Sequence, residues 1–375
     1  MEFKHVTLKE IKQQGRVWEE LLGSLDGKKE EISSFLDSID AKNRKIIFTG
    51  AGTSEFVGNV LLLNMDDNFR SIATTDIVEN PELYLHKNEK VLLVSFARSG
   101  NSPESLAAVE LADQLVDDIA HLAITCSEVG KLAQQMLGKK KSYLWLTPKE
   151  SNDDGFAMTS SFTCMLLSGL YIFGKINKPE LRDMMNTVIE EINKNEKNFE
   201  NYVNELVKLD VERIVYLGSG TLRALAEEAT LKCLELSAGK LGVFYNSPLS
   251  FRHGPKSIIN EKTVVITMMS NCEYTRKYEI DLLKEMHNEK SKKHLVALDV
   301  KNDSAVKENT HYYITLDNDK FSKYPEIINT FVYIYFAQLF AYNKSLSFNF
   351  NPDNPCPTGE VNRVVQGVTI YPYKK

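Results

Sequence analysis

Three stretches of the 375-residue sequence carry side chains able to do chemistry, and a fourth shares their local form. The first is Ser95-Phe-Ala-Arg98-Ser99-Gly100-Asn101-Ser102-Pro103-Glu104-Ser105, which follows an apolar run and precedes an amphipathic one. A helix beginning there presents unpaired N–H groups and a partial positive charge. With the hydroxyls of Ser99 and Ser102 and the bare backbone of Gly100, those groups suit an anion such as phosphate. Arg98 adds a cation, although a surface arginine and a serine-rich helix cap would read the same way. The second is Lys232-Cys-Leu-Glu235, whose i, i+3 spacing puts ammonium and carboxylate on one helix face. It fits an exposed ion pair, with Glu228 as a further i, i+4 partner, as well as an acid–base pair. The third is Ser250-Phe-Arg252-His253-Gly254-Pro255, where Gly-Pro bars His253 from a long helix. A loop histidine is a proton carrier near neutral pH, or simply a solvated side chain. The fourth, Gly50-Ala-Gly52-Thr53-Ser54, and its counterpart Gly218-Ser-Gly220-Thr221 lack the third glycine of a dinucleotide fingerprint, because Glu55 stands in its place in the first.

The elements that must position these residues read as one unit written twice. KIIFTGAGTSEF from Lys45 is strand, glycine turn, helix. Further strands are predicted at Ser71–Thr75, Val91–Phe96, His121–Thr125 and Ser142–Leu146, with helices over Ser102–Val116 (capped by Asn101 or Ser102) and Met158–Phe173. RIVYLGSGTLRALAEE from Arg213 begins the pattern again, with a helix from Thr221 to about Ser237. TVVITM, HLVAL and HYYITL then answer VLLVSF, HLAIT and SYLWL in the same order. Apolar strands alternating with helices specify a parallel sheet covered on both faces, and matches in register over a domain-sized period indicate duplication. The fold class is therefore α/β, two tandem doubly wound parallel-sheet domains. The expected boundaries are an N-terminal helical segment 1–40, a first domain 41–195, a second domain 196–345 and a C-terminal tail 346–375. The charged stretch Glu190–Asn201 is expected to join the halves as a helix, and Thr7 to Glu10 to form a capping box.

Composition narrows the function. With a net charge of −6 the chain lacks the basic face a nucleic-acid binder needs, so an anion would be held by local donors. Cys126, Cys164, Cys233, Cys272 and Cys356 are scattered without a C-x-x-C pair, which argues against a metal or disulfide framework. The N-terminus shows no apolar signal core and no run is long enough to span a membrane. These features point to a protein of the reduced cytoplasm.

Taken together, the stretches resemble the SIS (sugar isomerase) family over roughly residues 40–370, in tandem flavodoxin-like copies. The second half resembles the isomerase domain of glutamine–fructose-6-phosphate amidotransferase, and GAGTSEF, TTDIVENPE, SFARSGNSPESLAAVELAD, SFRHGP and RVVQGVTIYP resemble the bacterial tagatose-6-phosphate ketose/aldose isomerase group, which includes galactosamine-6-phosphate deaminases. The resemblance implies a catalytic set of Glu235, His253 and Lys232. It further implies substrate contacts from Gly52, Thr53, Ser54, Arg98, Ser99, Asn101, Ser102, Ala157 and Gln366. Against the amidotransferase, Asn101 replaces a glutamate, Arg98 a glutamine and Gln366 a lysine, so no Schiff-base role carries over to the tail.

The implied chemistry is an aldose–ketose shift on a hexose 6-phosphate. His253 would open the ring, Glu235 would move the C2 proton, and Lys232 would orient that carboxylate or meet developing oxyanion charge. The serine and threonine hydroxyls would fix the phosphate, and with it the reacting carbon. With an amino group on C2 the same shift ends in loss of ammonia, so deaminase and plain isomerase share one set of residues. Neither calls for a metal or cofactor. The resemblance also implies a homodimer or higher assembly in which the histidine serves the neighbouring subunit. A non-catalytic sugar-phosphate sensor is the competing class, but residues 1–40 hold no basic recognition helix for a transcriptional version.

Overall fold

A computed structural model describes residues 4–316, 318–365 and 367–374. The chain forms two compact units, one of residues 12–182 and 358–374, the other of residues 4–11 and 183–357. The first contains β1 (Lys45–Thr49), β2 (Phe69–Ser71), β3 (Lys90–Ala97), β4 (Asp118–Thr125) and β5 (Ser142–Leu146). They pair in parallel in the order β2-β1-β3-β4-β5. The second contains β6 (Arg213–Leu217), β7 (Gly242–Asn246), β8 (Thr263–Met268), β9 (His294–Asp299) and β10 (Tyr312–Thr315), in the order β7-β6-β8-β9-β10. Both sheets thus follow the doubly wound order 2-1-3-4-5, and both are parallel as the apolar runs predicted.

Burial on both faces is what makes these runs strands. Every residue of β8 is buried, and all of β3 after Lys90. In the first unit, Ile47, Leu93 and Ala123 meet Ala108, Val109 and Ala112 of the helix Pro103–Leu115. In the second, Val215, Val265 and Leu295 meet Leu282, Leu283 and Met286 of the helix Glu273–Asn288. Each valine, leucine, isoleucine and methionine among them contributes about 1.5–3 kcal/mol by leaving water. The helix Glu326–Ser347 is buried around nearly its whole circumference, as a helix apolar on all sides must be.

The turns after the first strand of each unit match in detail. Gly52 has φ 55° and ψ −127°, Gly220 φ 55° and ψ −124°. This conformation is closed to most side chains, so the two glycines are steric requirements of the turn.

Four local readings differ from the structure. The strand predicted at Ser71–Thr75 ends at Ser71, and a helix Thr74–Glu79 begins instead, because the Thr74 N–H and hydroxyl both turn to the Gly50 carbonyl. The helix expected from Met158 starts at Ser160. Strand β7 was not anticipated, although its Val-Phe-Tyr core has strand-forming composition. The capping box does not form: Thr7 lies inside the helix Val6–Lys12. The carboxylate of Asp353 supplies the cap, accepting from the N–H groups of Val6 (3.0 Å) and Thr7 (2.8 Å) and from the Thr7 hydroxyl (2.7 Å). The stretch Glu190–Asn201 is helical as expected, within a longer helix, Lys178–Leu206.

Asp353→Ala leaves these donors unmet and should cost about 1–2 kcal/mol, read as a lower urea midpoint with unchanged m value.

Candidate functional site

In a sheet of this order the connections leave in opposite directions from the first and third strands, and the crevice beyond their carboxyl ends collects ligands. In the first unit Thr49 of β1 pairs with Ser95 of β3, so the turn Gly50–Ser54 and the loop Arg98–Ser102 leave the sheet side by side. The predicted residues Gly52, Thr53, Ser54, Ser99, Asn101 and Ser102 all lie on these two segments. Ser102 occupies the N-cap of the helix Pro103–Leu115, yet its side chain makes no capping hydrogen bond. Pro103 opens this helix without an N–H, and the N–H groups of Ser105 and Leu106 donate to the Ser102 carbonyl, so the Ser102 hydroxyl and the Glu104 N–H are the groups at this helix start left for an anion. Ser99 Oγ accepts from the Asn101 N–H at 3.3 Å, and Asn101 Oδ1 accepts from the Lys131 N–H at 3.1 Å. Gly130 lets the loop pack closely, since a Cβ there would lie 2.2 Å from the Ser99 carbonyl oxygen.

Arg98 and Ala157 both lie beneath the surface. Arg98 is buried, and its guanidinium donates to the carbonyls of Phe156 (3.3 Å) and Arg363 (2.6 Å). Arg363 in turn donates to the Asp153 carbonyl. Arg98 thus ties residues 153–156 and the chain end to the serine loop. Ala157 is fully buried beside it. Asp153, which the sequence reading passed over, caps the helix Ser160–Phe173, its carboxylate accepting from the N–H groups of Thr159, Ser160 and Ser161. Gln366 lies outside the described residues.

The remaining predicted residues belong to the second unit. Lys232 has no solvent exposure, which overturns the reading of an exposed ion pair. Its Nζ is 2.6 Å from Glu235 Oε2 and 3.6 Å from Glu228 Oε1. Glu228 is equally buried, whereas Glu235 keeps 23% of its side chain exposed. A buried ammonium is tolerated only with such counter-charges. The outcome is a carboxylate held at the surface by a cation beneath it.

His253 is exposed where the short helix Pro248–Arg252 ends, and Gly254 follows at φ 115°. Among the described residues, no hydrogen bond or ion pair links it to Lys232 or Glu235. Its loop is pinned from both sides: Arg252 reaches Asp281 (2.9 Å) and Glu285 (2.8 Å), while Lys256 pairs with Glu285 and Glu289. Asp281 and Glu285 lie one turn apart on the helix Glu273–Asn288, and Glu289 follows at its C-cap. The spacing was readable in the sequence, but not the partner.

The equivalent crevice of the second unit has another character. Glu279 is 1% exposed. Its carboxylate accepts from Ser219 Oγ (2.7 Å) in the turn after β6 and from the Ser270 N–H (2.9 Å) in the loop after β8. The Ser270 hydroxyl donates to Glu326. Arg276, one helical turn from Glu279, is bound by Asp299 and Asp303. Burial pushes the Glu279 carboxyl up to about 7, helped by the Glu326 charge and opposed by its hydrogen bonds and by Arg276.

An SIS domain model matches residues 40–173. The chain is 42% identical to D-galactosamine-6-phosphate deaminase AgaS of Shewanella sp. (strain ANA-3), over 98% of this chain and 92% of that protein. It is 40% identical to D-galactosamine-6-phosphate deaminase AgaS of Escherichia coli O157:H7, over 98% and 96%. A solved structure of tagatose-6-phosphate ketose/aldose isomerase from Escherichia coli superposes with a TM-score of 0.89 at 37% identity, over 99% of this chain and 98% of that one. Among the described residues, no helix is long and apolar enough to cross a membrane.

The raised Glu279 carboxyl sets a pH dependence. Between the ordinary carboxyl range and about 7, the folded chain holds a proton that the unfolded chain has released, so stability falls as pH rises through that window. Glu279→Gln should flatten the fall in unfolding free energy measured from about pH 5 to about pH 8. An unchanged slope would remove Glu279 as its source.

Proposed function

The chain belongs to the AgaS family of SIS-domain proteins, and we propose that it converts an amino-hexose 6-phosphate of the galactosamine type to ketohexose 6-phosphate and ammonia. The observation that carries the reading is the fully buried Lys232 ammonium 2.6 Å from a Glu235 carboxylate that remains partly exposed. Such a carboxylate is held in one orientation by the cation and still reaches a ligand.

The roles follow from the chemistry. His253 carries a proton from O1 to O5 as the ring opens to the aldehyde. Glu235 takes the C2 proton while O1 is protonated, giving an enolamine. The same carboxyl returns its proton to C1, and the nitrogen releases one proton to solvent, equal to the one O1 took up from solvent, leaving a hydroxymethyl group and a C2 ketimine. Water adds at C2 and ammonia leaves, so the products are the 2-ketose phosphate and ammonia. Lys232 orients Glu235 and offsets negative charge at the reacting oxygens, and Glu228 keeps Lys232 in place. Ser99, Ser102, Thr53 and Ser54 hold the phosphate, with Gly52 and Asn101 shaping the approach. Arg98 supports that loop through the carbonyls it binds. No cofactor enters this sequence of steps.

The likeness to the Escherichia coli tagatose-6-phosphate ketose/aldose isomerase favours a second reading, plain ketose–aldose isomerisation. Purified protein incubated with galactosamine 6-phosphate, glucosamine 6-phosphate and tagatose 6-phosphate separates the two. The expected result is ammonia and ketose in equal amounts from galactosamine 6-phosphate. Interconversion of tagatose 6-phosphate without ammonia from either amine would replace deamination by isomerisation, and inertness toward all three would favour a sensor. Glu235→Gln should lower kcat by about a hundredfold or more with little change in KM.

We further propose a cytoplasmic homodimer in which each histidine serves its neighbour; His253 is exposed and unbonded to Glu235, as a residue reaching another subunit would be. Mixing Glu235→Gln and His253→Asn variants should then restore turnover, because some hybrid sites carry both native residues. Verified subunit exchange without recovery would refute the shared site.

A further inference from the structure

Each unit has a crevice where its strand order reverses, yet only that of the first unit has been given a ligand. The Glu279 carboxylate joins the two segments that flank the second crevice, through the Ser219 hydroxyl and the Ser270 N–H. A phosphate would join the corresponding segments of the first unit in the same manner, one oxygen to each. We infer that Glu279 is an internal substitute for a bound phosphate, closing the anion site of the second unit from within, so that removing it opens that site to a phosphate-bearing ligand. The inference rests on the reading of the first crevice as a phosphate site.

The surroundings agree with a site whose donors are already used. The Ser270 hydroxyl is committed to Glu326, and the Asn271 amide donates to the carbonyls of Phe321 (3.4 Å) and Tyr324 (2.6 Å). Arg276 could neutralise an incoming anion, but its two terminal nitrogens are bound to Asp299, Asp303 and the Ser270 carbonyl. Above about pH 7, where Glu279 is ionised, a phosphate dianion would meet the carboxylates of Glu279, Asp299 and Asp303 with one arginine among them, buried where charge is poorly screened. In the first unit, by contrast, the Ser102 side chain makes no capping bond and Ser99 Oγ meets a backbone N–H. The two crevices share a topology and differ in who supplies the anion.

Inorganic phosphate binding, followed by calorimetry and phosphorus NMR on the full chain, tests this. The wild type should bind one phosphate per chain. Ser99→Ala with Ser102→Ala should weaken that binding about tenfold or more. Adding Glu279→Ala with Glu326→Gln in that background should restore one phosphate per chain. Glu279→Gln, which keeps the volume and most of the bonding, should stay folded and gain none. Two phosphates per wild-type chain, or no gain in a folded Glu279→Ala, Glu326→Gln chain, would overturn the inference. If the four-site variant does not fold, the wild-type stoichiometry and Glu279→Gln decide it, since a second phosphate on either defeats an internal plug. Unweakened wild-type-like binding after Ser99→Ala and Ser102→Ala refutes instead the phosphate reading of the first crevice.

Discussion

The order 2-1-3-4-5 imposes one constraint from which the rest follows. The chain leaves the first and third strands in opposite directions, so no connection crosses the carboxyl ends of that central pair. Backbone N–H groups of two turns and a helix start are left there without partners from the sheet. Polar groups in that position need an anion, water or a side chain, and the same need arises once in each unit. In the first, the loop Arg98–Ser102 offers the Ser102 hydroxyl, which makes no capping bond. In the second, Glu279 meets the need.

Charge placement follows a related rule on the helix Thr221–Leu236. Lys232 is an ammonium cut off from water, so its cost is bearable only because Glu228 and Glu235 flank it at four and three residues' spacing. That arrangement orients a partly exposed carboxylate through a buried cation. The loop of His253 is held by the opposite device, surface cations on a row of acids, where each pair is individually weak and only the set gives direction. Glu235 and the loop of His253 are thus positioned by different physics, one through a buried cation, the other by pairs at the surface.

Much of this was legible in order. The apolar runs from Val91 and Thr263 could be little other than buried parallel strands, and the paired Gly52 and Gly220 turns followed from glycine's access to positive φ. The helix Thr221–Leu236 placed Lys232 and Glu235 on one face by spacing alone. Ser71–Thr75 and Thr7–Glu10 misled because local propensity was outweighed by a distant acceptor: the Gly50 carbonyl in one case, the Asp353 carboxylate in the other. Strand β7 was passed over because five residues between helices carry too little periodic signal.

The sequence by itself determined the α/β class, the repeated pattern, and the residue types at each crevice, since these depend on hydrophobic period and local backbone sterics. Only the tertiary structure decided whether a charge was buried or wet. Lys232 and Glu279 look like ordinary helix-surface residues in the sequence, and Arg98 like an anion ligand. Burial and long-range hydrogen bonds gave Lys232 two carboxylate neighbours, Glu279 two donors and Arg98 two backbone carbonyls. Both depend on which segments fold against each helix face, and spacing along the chain does not encode that.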